Sequence, residues 1–145
     1  MIGGIISTEI DLESFEKNYK DAKGFHHRAE QFLCEGQSTS VIFNVASIAL
    51  ERYLIALCYL YGAPPWNHTY SYLMDIVEVI IDFPKALNDE IRSVDELLKD
   101  YLCSTEYYNG KFPESTDADS ILSICDRVSN VFDQSRIELL RNLKK

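Results

Sequence analysis

From Val41 to Tyr61 the chain reads VIFNVASIALERYLIALCYLY, with Gly62 and the pair Pro64-Pro65 behind it. Ala46, Leu50, Tyr53 or Leu54, Leu57 and Tyr61 fall on one helical stripe, and Val41, Ile42, Ile48 and Ile55 widen it beyond one face. A helix that is apolar nearly all round has to be covered nearly all round. This predicts a central place in a bundle, or a dimer contact. Gly62 and the prolines end the helix, because proline has no amide to donate and holds its predecessor extended.

The flanking segments carry the same period. Leu12, Phe15, Tyr19, Ala22, His26, Ala29 and Leu33 step by three and four, which predicts a first helix over 8–35, opened by Thr8 and Asp11 in a capping arrangement and stopped by Gly36. Gly24 interrupts it at a cost of about 1 kcal/mol relative to alanine, which suggests close packing against another backbone. Asn67 is the expected N-cap of a third helix carrying Tyr70, Leu73, Ile76 or Val77, and Ile80, ending before Pro84. VEVIIDF has strand propensity too, but no second strand lies nearby to pair with it. LNDEIRSVDELLKDYL gives a short fourth helix over 87–102, STEYYNGKFPES a turn-rich loop, and a last helix runs from near Thr116 to Lys145 with acids in its first turn and bases in its last. The expected fold is all-α: one domain over 1–145, an antiparallel up-and-down four-helix bundle with one additional short helix.

A chain of 145 residues with 46% apolar residues can bury a real core without metal or disulfide. A net charge of -9 argues against non-specific nucleic-acid binding, which needs clustered lysine and arginine. Cys34, Cys58, Cys103 and Cys125 are scattered, with no Cys-x-x-Cys pair, and read as buried thiols. The start, MIGGIISTEIDLESFEK, meets acids too early for a signal peptide or membrane span, so a cytoplasmic, non-membrane setting is expected.

Few residues could carry chemistry. Arg52 interrupts the apolar second helix, where a guanidinium either pairs with a carboxylate or forks onto a phosphate. His68 stands at a helix start, where free amides and the positive helix end gather anions. Lys111 follows Gly110 in a loop whose Tyr107 and Tyr108 could stack on a base while the ammonium meets phosphate. The bland alternatives are a salt bridge for Arg52, a cap or surface residue for His68, and tyrosines that pack the loop. His26 lies on the first helix's apolar stripe and reads as a core histidine with a hydrogen-bonded ring, whereas His27 points to the surface. Neighbouring histidines diverge by about 100 degrees on a helix and do not chelate one ion, so no metal ligands are assigned. Asp89, Glu90, Asp95, Glu96 and Asp100 read as a solvated face. Neither Gly-x-Gly-x-x-Gly nor a P-loop is present, and no cofactor is expected.

The run Ala29-x-x-Phe32-Leu33, then Ala46-x-x-Ala49-Leu50-Glu51-x-x-Leu54-x-Ala56-Leu57, then Gly62 and His68, resembles the HEPN family (higher eukaryotes and prokaryotes nucleotide-binding domain). Tyr107-x-x-Gly110-Lys111-Phe112-Pro113 is similar to the Arg-Tyr-Pro segment of many members. The resemblance implies a helical bundle, usually a homodimer, that cuts RNA or binds a nucleotide or a nucleotidyltransferase partner, in some cases in a system of the toxin–antitoxin type. The cutting members carry Arg, four to six residues, then His. Here none of Arg28, Arg52, Arg92, Arg127 and Arg136 is followed by histidine at that spacing, and no histidine lies beyond His68. RNA cleavage needs a near-neutral base beside a cationic clamp, and the motif supplying both is absent. The expectation is therefore a non-catalytic HEPN-like binding module, with Arg52, His68, Lys111, Tyr107 and Tyr108 as its ligand-facing residues and no catalytic residue. A divergent ribonuclease and a purely structural interaction bundle are the competing classes. Convergence of Arg52, His68 and Lys111 would favour nucleotide binding, and their dispersal an interaction protein.

Overall fold

A computed structural model describes residues 10–102 and 113–144. Among the described residues there are six helices and no strand: α1 (Leu12–Cys34), α2 (Thr39–Leu60), α3 (Tyr70–Ile80), α4 (Lys85–Leu102), α5 (Ser115–Ser129) and α6 (Gln134–Lys144). The all-α expectation holds, and VEVIIDF is helical in its first part and leaves the helix after Ile80.

Helix α2 is the centre. It buries Phe43, Leu50, Leu54, Leu57 and Leu60 completely or nearly so, against α1 along its length, α5 on another side and α3 on a third. Burial of each such side chain contributes about 1.5–3 kcal/mol. Its length and mean hydropathy of 1.7 would suffice to cross a membrane, but 67% of that window is buried inside the bundle, which accounts for its all-round apolar character. Only Val41 and Ile48 of its large apolar residues are well exposed.

Both glycine stops work as the sequence suggests. Gly36 and Gly62 take φ of 73° and 74°, a left-handed conformation that glycine adopts without steric cost. At the first stop, Gln37 N–H donates to Phe32 O and Gly36 N–H to Leu33 O; at the second, Ala63 N–H donates to Cys58 O and Gly62 N–H to Tyr59 O. These are Schellman closures, which satisfy the last carbonyls of each helix.

Several boundaries differ from expectation. Asp11 caps α1, its carboxylate accepting from the Ser14 amide (3.0 Å) and hydroxyl (2.7 Å), and Thr8 lies outside the described residues. Thr69, not Asn67, caps α3 by accepting from Tyr72 N–H, while Asn67 Oδ1 accepts from Thr69 N–H one turn earlier. Helix α4 begins at Lys85 and has 18 residues, so the short helices are α3 and α6, with 11 each. The expected single last helix is two. Ser129 Oγ and Asn130 Nδ2 both donate to Asp126 O, drawing the backbone off the helical ladder, and Asp133 Oδ1 accepts from Arg136 N–H to start α6. The turn between them buries Phe132 against Phe15, Tyr19 and Tyr53. Gly24 is not a close approach: a side chain built there would meet nothing within 4 Å.

Candidate functional site

His68 lines a groove of about 600 Å³ between α2, the start of α3 and α4. Ile48 and Leu98 give it apolar walls, and Glu51, His68 and Asp95 supply its charge. His68 Nδ1 lies 3.4 Å from Glu51 Oε2. The groove is thus acidic on balance, with one imidazole against two carboxylates.

Asp95 shapes the groove most. Its Oδ1 accepts from Tyr70 N–H (3.0 Å) and its Oδ2 from Ser71 N–H (2.8 Å). With Thr69 on Tyr72 N–H, the first amides of α3 are all taken from within the chain. The expectation of free amides beside His68 is corrected by this carboxylate, which occupies the seat an anionic ligand would use. Asp95 was read from sequence as one of a solvated acidic face. The missed signal is its place four residues after Ile91 and one after Val94, at the edge of the buried stripe of α4. Tyr70, held under the groove, donates its hydroxyl to Ser47 O at 2.6 Å, and burial pushes its pKa up.

Arg52 is elsewhere. Glu51 and Arg52 are neighbours on α2 and so point about 100 degrees apart. Glu51 faces His68, while Arg52 Nη1 donates to Asn18 Oδ1 on α1 at 3.2 Å. Asn18 is itself buried and donates to Ser14 O. The Arg52 Nε is enclosed and has no hydrogen-bond partner, and no described carboxylate pairs with this guanidinium. Arg52 and His68 are therefore not brought together. Lys111, Tyr107 and Tyr108 lie outside the described residues.

Four other arginines are committed to structure, and Arg28 is exposed on α1. Arg92 ties α4 to α3 through Asp75 (2.8 Å) and Glu78 (3.0 Å), Arg127 forks onto Glu90, and Arg141 onto Glu16. Arg136 donates to Leu60 O and lies over the Tyr61 ring. The cysteines divide. Cys58 and Cys125 are buried, with burial pushing the Cys58 thiol up to about 12 and Cys125 up as well, so neither is a thiolate nucleophile. Cys34 is exposed, against the expectation of a buried thiol. His26 is the core histidine expected, its Nδ1 hydrogen-bonded to Tyr53 Oη at 2.8 Å.

A family model for the HEPN domain matches residues 15–135, most of the chain. The chain belongs to the HEPN family. The match spans every buried helix contact described above except those of α6 and the first turn of α1. No curated protein and no solved structure matches this HEPN chain. The cutting spacing of Arg and His is not in the sequence.

Proposed function

We propose that this HEPN domain is a non-catalytic binding module whose ligand is a partner protein, a nucleotidyltransferase being the class the family resemblance implies. One observation carries the reading: the α3 amides, the groove's natural phosphate seat, are already held by Asp95 beside a second carboxylate, Glu51. A phosphate there would displace an internal anion and meet another. A basic side chain from a partner meets the opposite situation, two carboxylates and an apolar floor. Trp66, 83% exposed and tilted against the Tyr72 ring, directly precedes groove residues Asn67 and His68, and an exposed indole is the kind of anchor that dominates protein interfaces. The separation of Arg52 from His68 points the same way.

A nucleotide is the second reading, favoured by the half-buried Arg52 guanidinium, which has no described carboxylate partner. Size-exclusion with multi-angle scattering, run on the chain alone and with candidate nucleotidyltransferases of the same organism, tests the first reading. The homodimer implied by the resemblance would appear as twice the chain mass. A complex abolished by Trp66→Ala or Glu51→Lys is expected. Absence of any complex, together with a thermal shift by a nucleotide that disappears in Arg52→Ala, would replace it with the second.

A further inference from the structure

Glu30, four residues after His26, lies on the same face of α1, and Asp126 of α5 packs across from both. His26 Nε2 stands 2.9 Å from Asp126 Oδ1 and 3.6 Å from Glu30 Oε2, and the three ligand atoms lie within 4.8 Å of one another. His26 is only 8% exposed, and its Nε2 is enclosed. Although Asp126 is close to that nitrogen, it sits off the axis of the ring N–H, so Nε2 makes no aligned hydrogen bond. Elsewhere between the described helices, Glu16, Asp75, Glu78 and Glu90 each meet an arginine and Asp95 meets the α3 amides. Among the described residues neither Glu30 nor Asp126 is within ion-pair reach of a lysine or arginine, and the two share one imidazole.

We infer that His26, Glu30 and Asp126 form a binding site for a divalent transition-metal ion of the zinc class, set between α1 and α5. Ligand atoms around a tetrahedral zinc with bonds of about 2.0–2.1 Å lie about 3.3 Å apart. The separations of 2.9 and 3.6 Å bracket that spacing. An ion on the Nε2 lone-pair axis would take the direction that Asp126 leaves open and would neutralise both carboxylates. The far ring nitrogen is already positioned: Nδ1 is hydrogen-bonded to Tyr53 Oη at 2.8 Å, and in the tautomer that donates from Nδ1–H to this oxygen Nε2 is free for the metal. The mouth is open, since the Glu30 and Asp126 side chains are 51% and 61% exposed, which gives an entry path and room for a water in the fourth position. The neighbouring Cys125 is no ligand: its protonated thiol donates to Ala46 O.

The direct test is isothermal titration of the full chain with zinc chloride, in a Cys34→Ser, Cys103→Ser background so that thiols do not compete, with cobalt(II) absorption read in parallel. One ion per chain is expected, with a low-symmetry cobalt spectrum free of thiolate charge transfer. Glu30→Gln and Asp126→Asn replace exposed groups and should keep the apo melting curve while weakening binding at least tenfold. Tyr53→Phe, which removes only the positioning hydroxyl, should weaken it 10–100-fold. Asp82→Asn, at an exposed acid remote from the cluster, should change nothing. No ion bound by the background chain, or binding that survives both Glu30→Gln and Asp126→Asn, would overturn the site and leave His26 simply packed beside its two carboxylates.

Discussion

The two long sides of α2 treat polar groups in opposite ways. Toward α3 and α4 the polar groups are hydrogen-bonded: Asp95 caps α3, Arg92 joins Asn88, Asp75 and Glu78, and Tyr70 donates to Ser47 O. Toward α1 and α5 two buried nitrogens, His26 Nε2 and Arg52 Nε, make no aligned hydrogen bond among the described residues, although Asp126 lies 2.9 Å from the first. A buried unpaired polar atom costs on the order of 1–3 kcal/mol, so a chain carrying two of them on one seam has reason to seek ligands there. The groove on the hydrogen-bonded side is suited to a preformed surface for a partner. The seam is suited to an ion or anion that completes it.

The largest effect should come from the helix both sides share. Leu57→Ala removes a fully buried side chain and is expected to cost about 2–5 kcal/mol in denaturant unfolding. A loss below 1 kcal/mol would mean that α2 is not the common core. Next, Tyr53→Phe strands His26 Nδ1 on the seam and should cost about 1–3 kcal/mol, more than Asp75→Ala on the flank, where an exposed ion pair is worth about 0–1 kcal/mol. Equal losses would erase the contrast between the two sides. Gly24→Ala should raise stability by about 0.5–1 kcal/mol, because the new methyl meets open space in mid-helix.

The smallest effect is on acid stability. The Arg141 and Arg127 hydrogen bonds hold the Glu16 and Glu90 carboxyls below their ordinary 4.5. A folded pKa below the unfolded one contributes stability that is present above about 4.5 and lost as pH falls through the lower folded values. Both pairs are well exposed, so their combined loss should be about 0–1 kcal/mol, read as a shallow decline in melting temperature below pH 4.5.

The helices, their glycine stops and the central role of α2 were legible because burial imposes a 3.6-residue period that leaves its mark on every turn. The break between α5 and α6 was not, because it depends on Ser129, Asn130 and Asp133 taking backbone bonds locally while Phe132 turns inward. Of the polar candidates, Arg52 and His68 stand out in sequence by residue type and His26 by its place on an apolar stripe, and Arg52 lies away from the groove that His68 lines. What sequence could not supply was the partner of each. Asp95 is 24 and 25 residues from the amides it caps, and Asp126 is on another helix from the imidazole it faces. Only the His26 and Glu30 pair had a local signal, the four-residue spacing that puts both on one face.

The central claim is that the groove beside α3 is closed to phosphate because Asp95 holds its amides. Nitrogen-15 NMR of the labelled chain during titration with ATP, ADP and a short RNA tests it at the atoms concerned. The Tyr70 and Ser71 amide signals should stay in place at every ligand concentration. Saturable movement of both, abolished in His68→Ala, would show that a nucleotide takes the seat and that the groove is a nucleotide site after all.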